Sequence, residues 1–361
     1  MWVAFLCFIA PQARGQSLTP TVPPARALGP SPTFPAGLRA GDAVAIVAPA
    51  GPLERGRIEL AARRLADMGL RVRVPDDLYR QRGYLAGEDE VRAAELMAAF
   101  RDPDIKAIFP GSGGYGSMRI LDRVEYDVIA RNPKILHGFS DITALHLAIQ
   151  KKTGLVTFHG PVIAYGLGSR DNLTDFSARY FRRALWLAPS AEWIAGELPG
   201  GFLYEVPAQA GGVRMIAPGR ARGRLTGGNL SLVCALMGTP YEIETDGRIL
   251  FLEDVNEEPY RIDRMLAQLR LGGKLERLAG VVVGKFTGCE SVRAVSLSVE
   301  QVFTDYFAGL PVPVLADFPA GHFTYHATLP MNALYEIDAD AGSVRLLEEP
   351  VRPTATTPAA D

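Results

Sequence analysis

From Ala43 onward, short apolar runs of strand length alternate with stretches of helical periodicity. Ala43 to Val47, Leu70 to Val74 and Ile105 to Phe109 read as strands, and Leu53 to Met68 and Glu88 to Phe100 read as amphipathic helices. A short helix follows Gly116, and a strand at Ile135 runs straight into a helix at Asp141. Alternation of this kind implies a mostly parallel sheet with helices on both faces. Ligands of such sheets gather outside the C-terminal ends of the strands. After an irregular stretch from Leu167 to Gly212 the pattern changes. Short apolar strands at Ile249 to Leu252, Leu278 to Val283 and Leu334 to Ile337 mix with helices at Asn229 to Met237, Pro259 to Leu271 and Ser298 to Phe307. This describes a second, β-rich α/β domain. No internal repeat is present.

With 361 residues the chain has room for two domains, each with its own core. The expected division is an N-terminal α/β domain over residues 37–166, a connecting segment over 167–212 and a C-terminal domain over 213–348. Residues 1–36 and 349–361, rich in Pro, Ser and Thr, are expected to lie outside the fold as disordered ends. A net charge of -2 without a lysine or arginine run excludes a nucleic-acid footprint. Cys7, Cys234 and Cys289 have no redox or zinc-knuckle spacing, and the last two sit in apolar surroundings that suit core residues. Trp2 to Ala10 is too short to span a bilayer, which takes about 20 residues, so stable membrane insertion is not expected. It resembles the apolar part of a signal peptide followed by Ala13-Arg14-Gly15, although a basic start is missing. Periplasmic export and a cytoplasmic location with a misassigned start both stay open.

The corner between the Ile135 strand and the Asp141 helix carries Gly138-Phe139-Ser140-Asp141-Ile142. A sharp strand-to-helix turn lifts a serine hydroxyl from the sheet and sets it beside the free N–H groups of a helix start. Ile142 stands where the nucleophile elbow of α/β-hydrolases has glycine, and Ser140 could equally be an ordinary helix N-cap. Glycine-rich loops follow two other strands, Ala48-Pro49-Ala50-Gly51-Pro52 and Pro110-Gly111-Ser112-Gly113-Gly114-Tyr115-Gly116. Neither has dinucleotide or P-loop spacing. Among the carboxylates from Glu253 to Asp263, Glu253 stands out because it directly follows the apolar run Ile249 to Leu252. Of the five histidines, His137, His146 and His159 suit structural positions. His322, in a loop after the Val312 to Leu315 strand, is the best-placed base, with His326 its rival. Their i, i+4 spacing lacks the His-Glu-x-x-His context of a zinc site, so no metal is expected.

Taken together these segments resemble the LD-carboxypeptidase family of serine peptidases. The landmarks, in chain order, are Gly113-Gly114-Tyr115-Gly116, Gly138-Phe139-Ser140-Asp141-Ile142-Thr143, His159-Gly160-Pro161, Gly227-Gly228-Asn229-Leu230, Leu252-Glu253-Asp254 with Tyr260-Arg261-Ile262-Asp263-Arg264, and Gly321-His322. The resemblance implies a flavodoxin-like parallel-sheet domain followed by a swivelling β/β/α-type domain. It implies a triad of Ser140, Glu253 and His322 at the domain interface, gated by relative domain motion. The Asp141 amide with Gly113 and Gly114 would hold the oxyanion, and Asn229 would contact substrate. No cofactor is implied. The substrate would be a murein tetrapeptide losing its terminal D-alanine, and the enzyme a homodimer. Related microcin-immunity peptidases, which cleave peptidyl-nucleotide conjugates, and a non-catalytic peptide-binding relative are the alternatives. Family members commonly carry arginine before Gly-Gly-Tyr-Gly, where this chain has Ser112, so Arg119 or Arg261 would have to compensate.

Overall fold

The computed structural model describes residues 30–169, 173–186 and 201–353. The signal-like segment at Trp2 to Ala10 lies outside the described residues. The first half runs β1 (Ala43–Val47), α1 (Arg55–Asp67), β2 (Arg71–Arg73), α2 (Asp89–Arg101), β3 (Ile105–Pro110), α3 (Tyr126–Arg131), β4 (Ile135–Gly138), α4 (Thr143–Thr153) and β5 (Thr157–His159). These strands pair in parallel in the order β2-β1-β3-β4-β5, the flavodoxin-like arrangement. The alternation in the sequence therefore becomes a parallel sheet, because each helix returns the chain to start the next strand in the same direction.

The chain continues through α5 (Asp175–Leu185), β6 (Phe202–Leu203), β7 (Arg214–Ala217), β8 (Arg220–Asn229), α6 (Leu230–Ala235), β9 (Arg248–Val255), α7 (Pro259–Leu271), β10 (Gly280–Thr287), α8 (Val299–Phe307) and β11 (Val314–Ala316). It closes with β12 (Leu329–Met331), β13 (Leu334–Asp338) and β14 (Ser343–Leu346). The second sheet is mixed, in the order β6-β14-β13-β8-β9-β10-β11-β7. Its central strand β8 escaped the sequence reading because Arg-Ala-Arg-Gly-Arg carries no apolar run. The arginines are matched across the sheet instead: Arg220 and Arg222 lie directly opposite Asp338 and Glu336 of β13 and pair with their carboxylates. Helix α8 begins one residue after the predicted Ser298 because Ser298 is its cap, in a reciprocal box with Gln301.

Three expectations need correction. Residues 30–36 and 349–353 belong to the fold: Thr33 donates to the Gly154 carbonyl at 2.9 Å, and Arg352 donates to that of Pro35 at 2.9 Å. The supposed connecting segment includes α5, which buries Phe176, Tyr180 and Phe181, and β6, which extends the second sheet. The halves do not have separate cores. One apolar cluster joins Leu136, Ile142 and Leu145 to Leu250 and Leu252, and another joins Ile46, Phe109 and Phe158 to Ile249, Phe251 and Leu315. The chain also crosses back, since β12 leaves the second half to pair antiparallel with β5 at the edge of the first sheet. Pro330 fits there because an edge strand needs no N–H on its outer side. Extensive shared apolar packing opposes the free domain motion the sequence suggested.

Candidate active site

Residue 140 occupies the corner after β4 with φ at 62°, a left-handed conformation that costs a non-glycine residue about 1–3 kcal/mol. The helical turn that starts there is preceded by Phe139 and has no side-chain cap. The Ser140 hydroxyl therefore does not cap the helix; it faces His322 Nε2 at 3.1 Å. The corner is pinned from the side by Asp141, whose buried carboxylate accepts the Ser117 N–H at 2.7 Å. Burial pushes the Asp141 carboxyl above its ordinary range. Gly113 lies so close that a Cβ there would stand 2.9 Å from Ser140 Cβ, 3.1 Å from its hydroxyl and 3.4 Å from the Asp141 nitrogen. Only glycine lets this loop close over the serine.

Glu253 is fully buried near the end of β9. Side chains alternate along a strand, so Ile249, Phe251 and Glu253 share one face, while Leu250, Leu252 and Asp254 share the other. The pairing of β9 with β10 shifts register between Val283 and Phe286, opposite Glu253, and such irregularities re-aim side chains beside sites. Glu253 Oε2 accepts His322 Nδ1–H at 2.7 Å and the His322 backbone N–H at 3.2 Å. The imidazole proton thus sits on Nδ1, leaving the Nε2 lone pair for the serine hydroxyl. Burial alone would raise the Glu253 carboxyl; the imidazoles of His159 and His322 beside it prevail and hold it well below the usual carboxylate range. Gly321, at φ 109°, is required because a Cβ there would come within 2.7 Å of the Glu253 carboxylate.

Arg92, fully buried on α2, was not foreseen. Its guanidinium donates to the Pro49 and Gly116 carbonyls, tying together the loops after β1 and β3. The signal was present in the sequence: Arg92 lies on the same helix face as Leu96 and Phe100, where a charge needs buried partners. His159 was read as structural, but its Nε2 stands 3.8 Å from Glu253 Oε1. Asn229 has its side chain occupied, capping α6 through Leu232 N–H at 3.2 Å and donating to Asp254 at 2.9 Å. Arg119 is held by Asp89 at 2.8 Å and Arg261 by Glu257 at 3.5 Å, so both candidates to replace an arginine at Ser112 already have partners. Burial pushes the Cys234 thiol up to about 12 and the Cys289 thiol up to about 11, as for inert core residues. His322 and His326 do not converge, since His326 faces His159 at 3.4 Å.

A cavity of about 540 Å³ lies beside this constellation, bounded by Gly284, Lys285, Phe323, Arg214 and Arg293. Arg214 is paired with Asp317 and Arg293 with Glu258, while Lys285 lies 5.1 Å over the Phe323 ring and has no ion pair among the described residues. A hydroxyl, an imidazole and a buried carboxylate in this order can activate an oxygen nucleophile.

Residues 44–160 match the LD-carboxypeptidase N-terminal domain and residues 222–337 the LD-carboxypeptidase C-terminal domain. A Bacillus subtilis protein named a probable murein peptide carboxypeptidase is 41% identical over 83% of this chain and 89% of its own length. The murein tetrapeptide carboxypeptidase of Pseudomonas aeruginosa is 35% identical over 77% of this chain and 87% of its own. The solved structure of MccF in complex with glutamyl sulfamoyl guanosine superposes with a TM-score of 0.80 at 25% identity, covering 89% of this chain and all, 100%, of that one. Both halves match in sequence and the fold agrees across them: this chain belongs to the LD-carboxypeptidase family.

Proposed function

We propose that the chain is a serine-type LD-carboxypeptidase that releases the terminal D-alanine of murein tetrapeptide by cleaving the amide that joins it to an L-configured centre. The observation that carries this reading is the continuous hydrogen-bonded line from Ser140 Oγ through His322 to Glu253, at 3.1 and 2.7 Å. His322 Nε2 takes the Ser140 proton as the oxygen attacks the scissile carbonyl, and Glu253 stabilises the resulting imidazolium. The Asp141 amide and the Gly113-Gly114 loop receive the oxyanion. Collapse of the tetrahedral species expels D-alanine, whose amine takes the proton from His322. Water, deprotonated by the same imidazole, then cleaves the acyl-enzyme. The murein peptide relatives support the substrate class, and the ammonium of Lys285 in the adjoining cavity, without an ion pair among the described residues, suits an anionic peptide.

The likeness to MccF favours a second substrate class, acyl-sulfamoyl nucleoside conjugates of the kind bound in that structure. Incubating purified protein with murein tetrapeptide and, separately, with glutamyl sulfamoyl guanosine decides between them by mass spectrometry. D-alanine release from the tetrapeptide is expected. Turnover of the conjugate alone would transfer the assignment to the second class, and turnover of neither would leave the chain as a peptide-binding relative.

A further inference from the structure

His322 and His159 flank Glu253, His326 and His146 lie beside His159, and only His322 has a place in the proposed mechanism. Glu253 Oε2 accepts two bonds from His322, while the fully buried Oε1 has no hydrogen-bond partner among the described residues. His159 Nε2, also fully buried and without a hydrogen-bond partner among the described residues, faces that oxygen at 3.8 Å. We propose that His159 is a positioning residue, a neutral imidazole whose Nε2–H closes onto Glu253 Oε1 and keeps that carboxylate anionic and correctly turned toward His322. The inference rests on the Ser140, His322, Glu253 reading.

The proton assignment follows from what each nitrogen meets. His159 Nδ1 lies 3.4 Å from His326 Nε2, so one of the two donates. Were it His159 as a neutral ring, its Nε2 lone pair would point at a buried carboxylate oxygen. That leaves two acceptors face to face, a costly arrangement in low dielectric. Donation by His326 Nε2–H puts the His159 proton on Nε2, aimed at Glu253. The other groups around the pair leave this unchanged. On α4, His146 donates Nε2–H to the Gly138 carbonyl at 2.8 Å, which places a proton on its Nε2. On β4, His137 Nε2 lies 3.3 Å from the Thr328 hydroxyl. Burial keeps both of these, and His326, in the neutral form at ordinary pH. Phe251 packs edge-on against His159 with ring centres 5.0 Å apart, and Phe139 closes another side at 5.8 Å. The carboxylate is thus held between two imidazoles, the half-buried one bonded to the serine and the fully buried one behind it.

The test uses the full chain with murein tetrapeptide as substrate. His159→Phe is expected to lower kcat by about 10- to 100-fold with KM little changed, the usual scale for losing a residue that orients a functional ligand. It should also move the acidic limb of kcat/KM to higher pH. Losing a donor makes the shared carboxylate more basic, and the pair then holds its proton to higher pH whichever partner carries it. His159→Gln keeps an N–H donor and should restore most of kcat and the original limb. Independently of turnover, ¹⁵N-histidine NMR of the free protein should show His159 protonated on Nε2 and bare on Nδ1. A proton on Nδ1, an unmoved acidic limb in folded His159→Phe, or equal damage in the Phe and Gln variants would overturn the proposal. If His159→Phe fails to fold, the Gln variant and the NMR tautomer decide. Failure of the underlying reading is distinguishable, because it would appear as wild-type turnover by Ser140→Ala.

Discussion

Two strand-to-helix corners meet at the centre of this molecule, and they use a polar residue in opposite ways. At the end of β8, Asn229 has ordinary extended dihedrals, φ -63° and ψ 123°, and its side chain caps α6. At the end of β4, Ser140 is forced to φ 62°, caps nothing and offers its hydroxyl to His322. The corners touch, since the Asn229 N–H donates to the Thr143 hydroxyl at 3.1 Å. One corner spends its polar group on stability. The other stores strain and turns its hydroxyl to an imidazole. The neighbouring carboxylates divide likewise: Asp254 accepts from Asn229 and Ser231 at the relaxed corner, while Glu253 faces the histidines.

The sharpest way to break this contrast is to remove the hydroxyl. Ser140→Ala and His322→Ala should each lower kcat by about 10⁴-fold or more, and in Ser140→Ala the thermal midpoint should hardly move, as read by D-alanine release and calorimetry. A helix cap would have shown the reverse. Glu253→Gln comes next, with a loss on the order of 10⁴-fold, because an amide N–H facing His322 favours the tautomer that cannot take the serine proton. A pH-rate profile of this variant that matched the wild type would remove Glu253 from the mechanism.

Stability toward acid probes the site at the strained corner as a whole. Burial lowers His137 and His146 from 6.5 to about 3, so the unfolded chain binds protons that the folded one refuses. Their contribution is complete above pH 6.5 and is lost as the pH falls toward 3, with a slope of about 1.4 kcal/mol per pH unit for each histidine. Glu253 has the same sign, but its depressed carboxyl loses stability only at lower pH, below the ordinary 4.5. Urea unfolding at pH 7.5, 6.5 and about 5.5 should therefore already show the histidine slope. Two smaller effects distinguish the corners directly. Asn229→Ala should cost about 1 kcal/mol or somewhat more, since it removes a cap and a partner of Asp254. Ser140→Gly should gain about 1 kcal/mol by relieving the left-handed strain, while abolishing turnover. Loss of stability in Ser140→Gly would refute the strain.

Much of this architecture was legible beforehand because it depends on local periodicity. Helix α7 runs over the predicted residues Pro259–Leu271, with proline at its first turn, and the β1, β3 and β4 runs are apolar because both faces of that sheet are covered. Strand β8 was not legible, because its arginines are satisfied by residues more than a hundred positions away on β13. The buried guanidinium of Arg92 was missed for the same reason, its acceptors being carbonyls on two distant loops.

At the site, the sequence by itself determined the residue types and their order: a serine at a strand-to-helix corner, a carboxylate ending an apolar strand, and a histidine in a later loop. The segment around Ser140 left cap and nucleophile both open, and only the family resemblance favoured the nucleophile, because the difference lies in a backbone angle and in a partner 182 positions away. Nor could the sequence find His159 behind Glu253, a proximity that arises only when β5 and β9, strands of different sheets, are brought together in the folded chain. Periodicity and local propensity act over a few residues, whereas orientation, burial and proton placement depend on groups that meet only when the chain is folded.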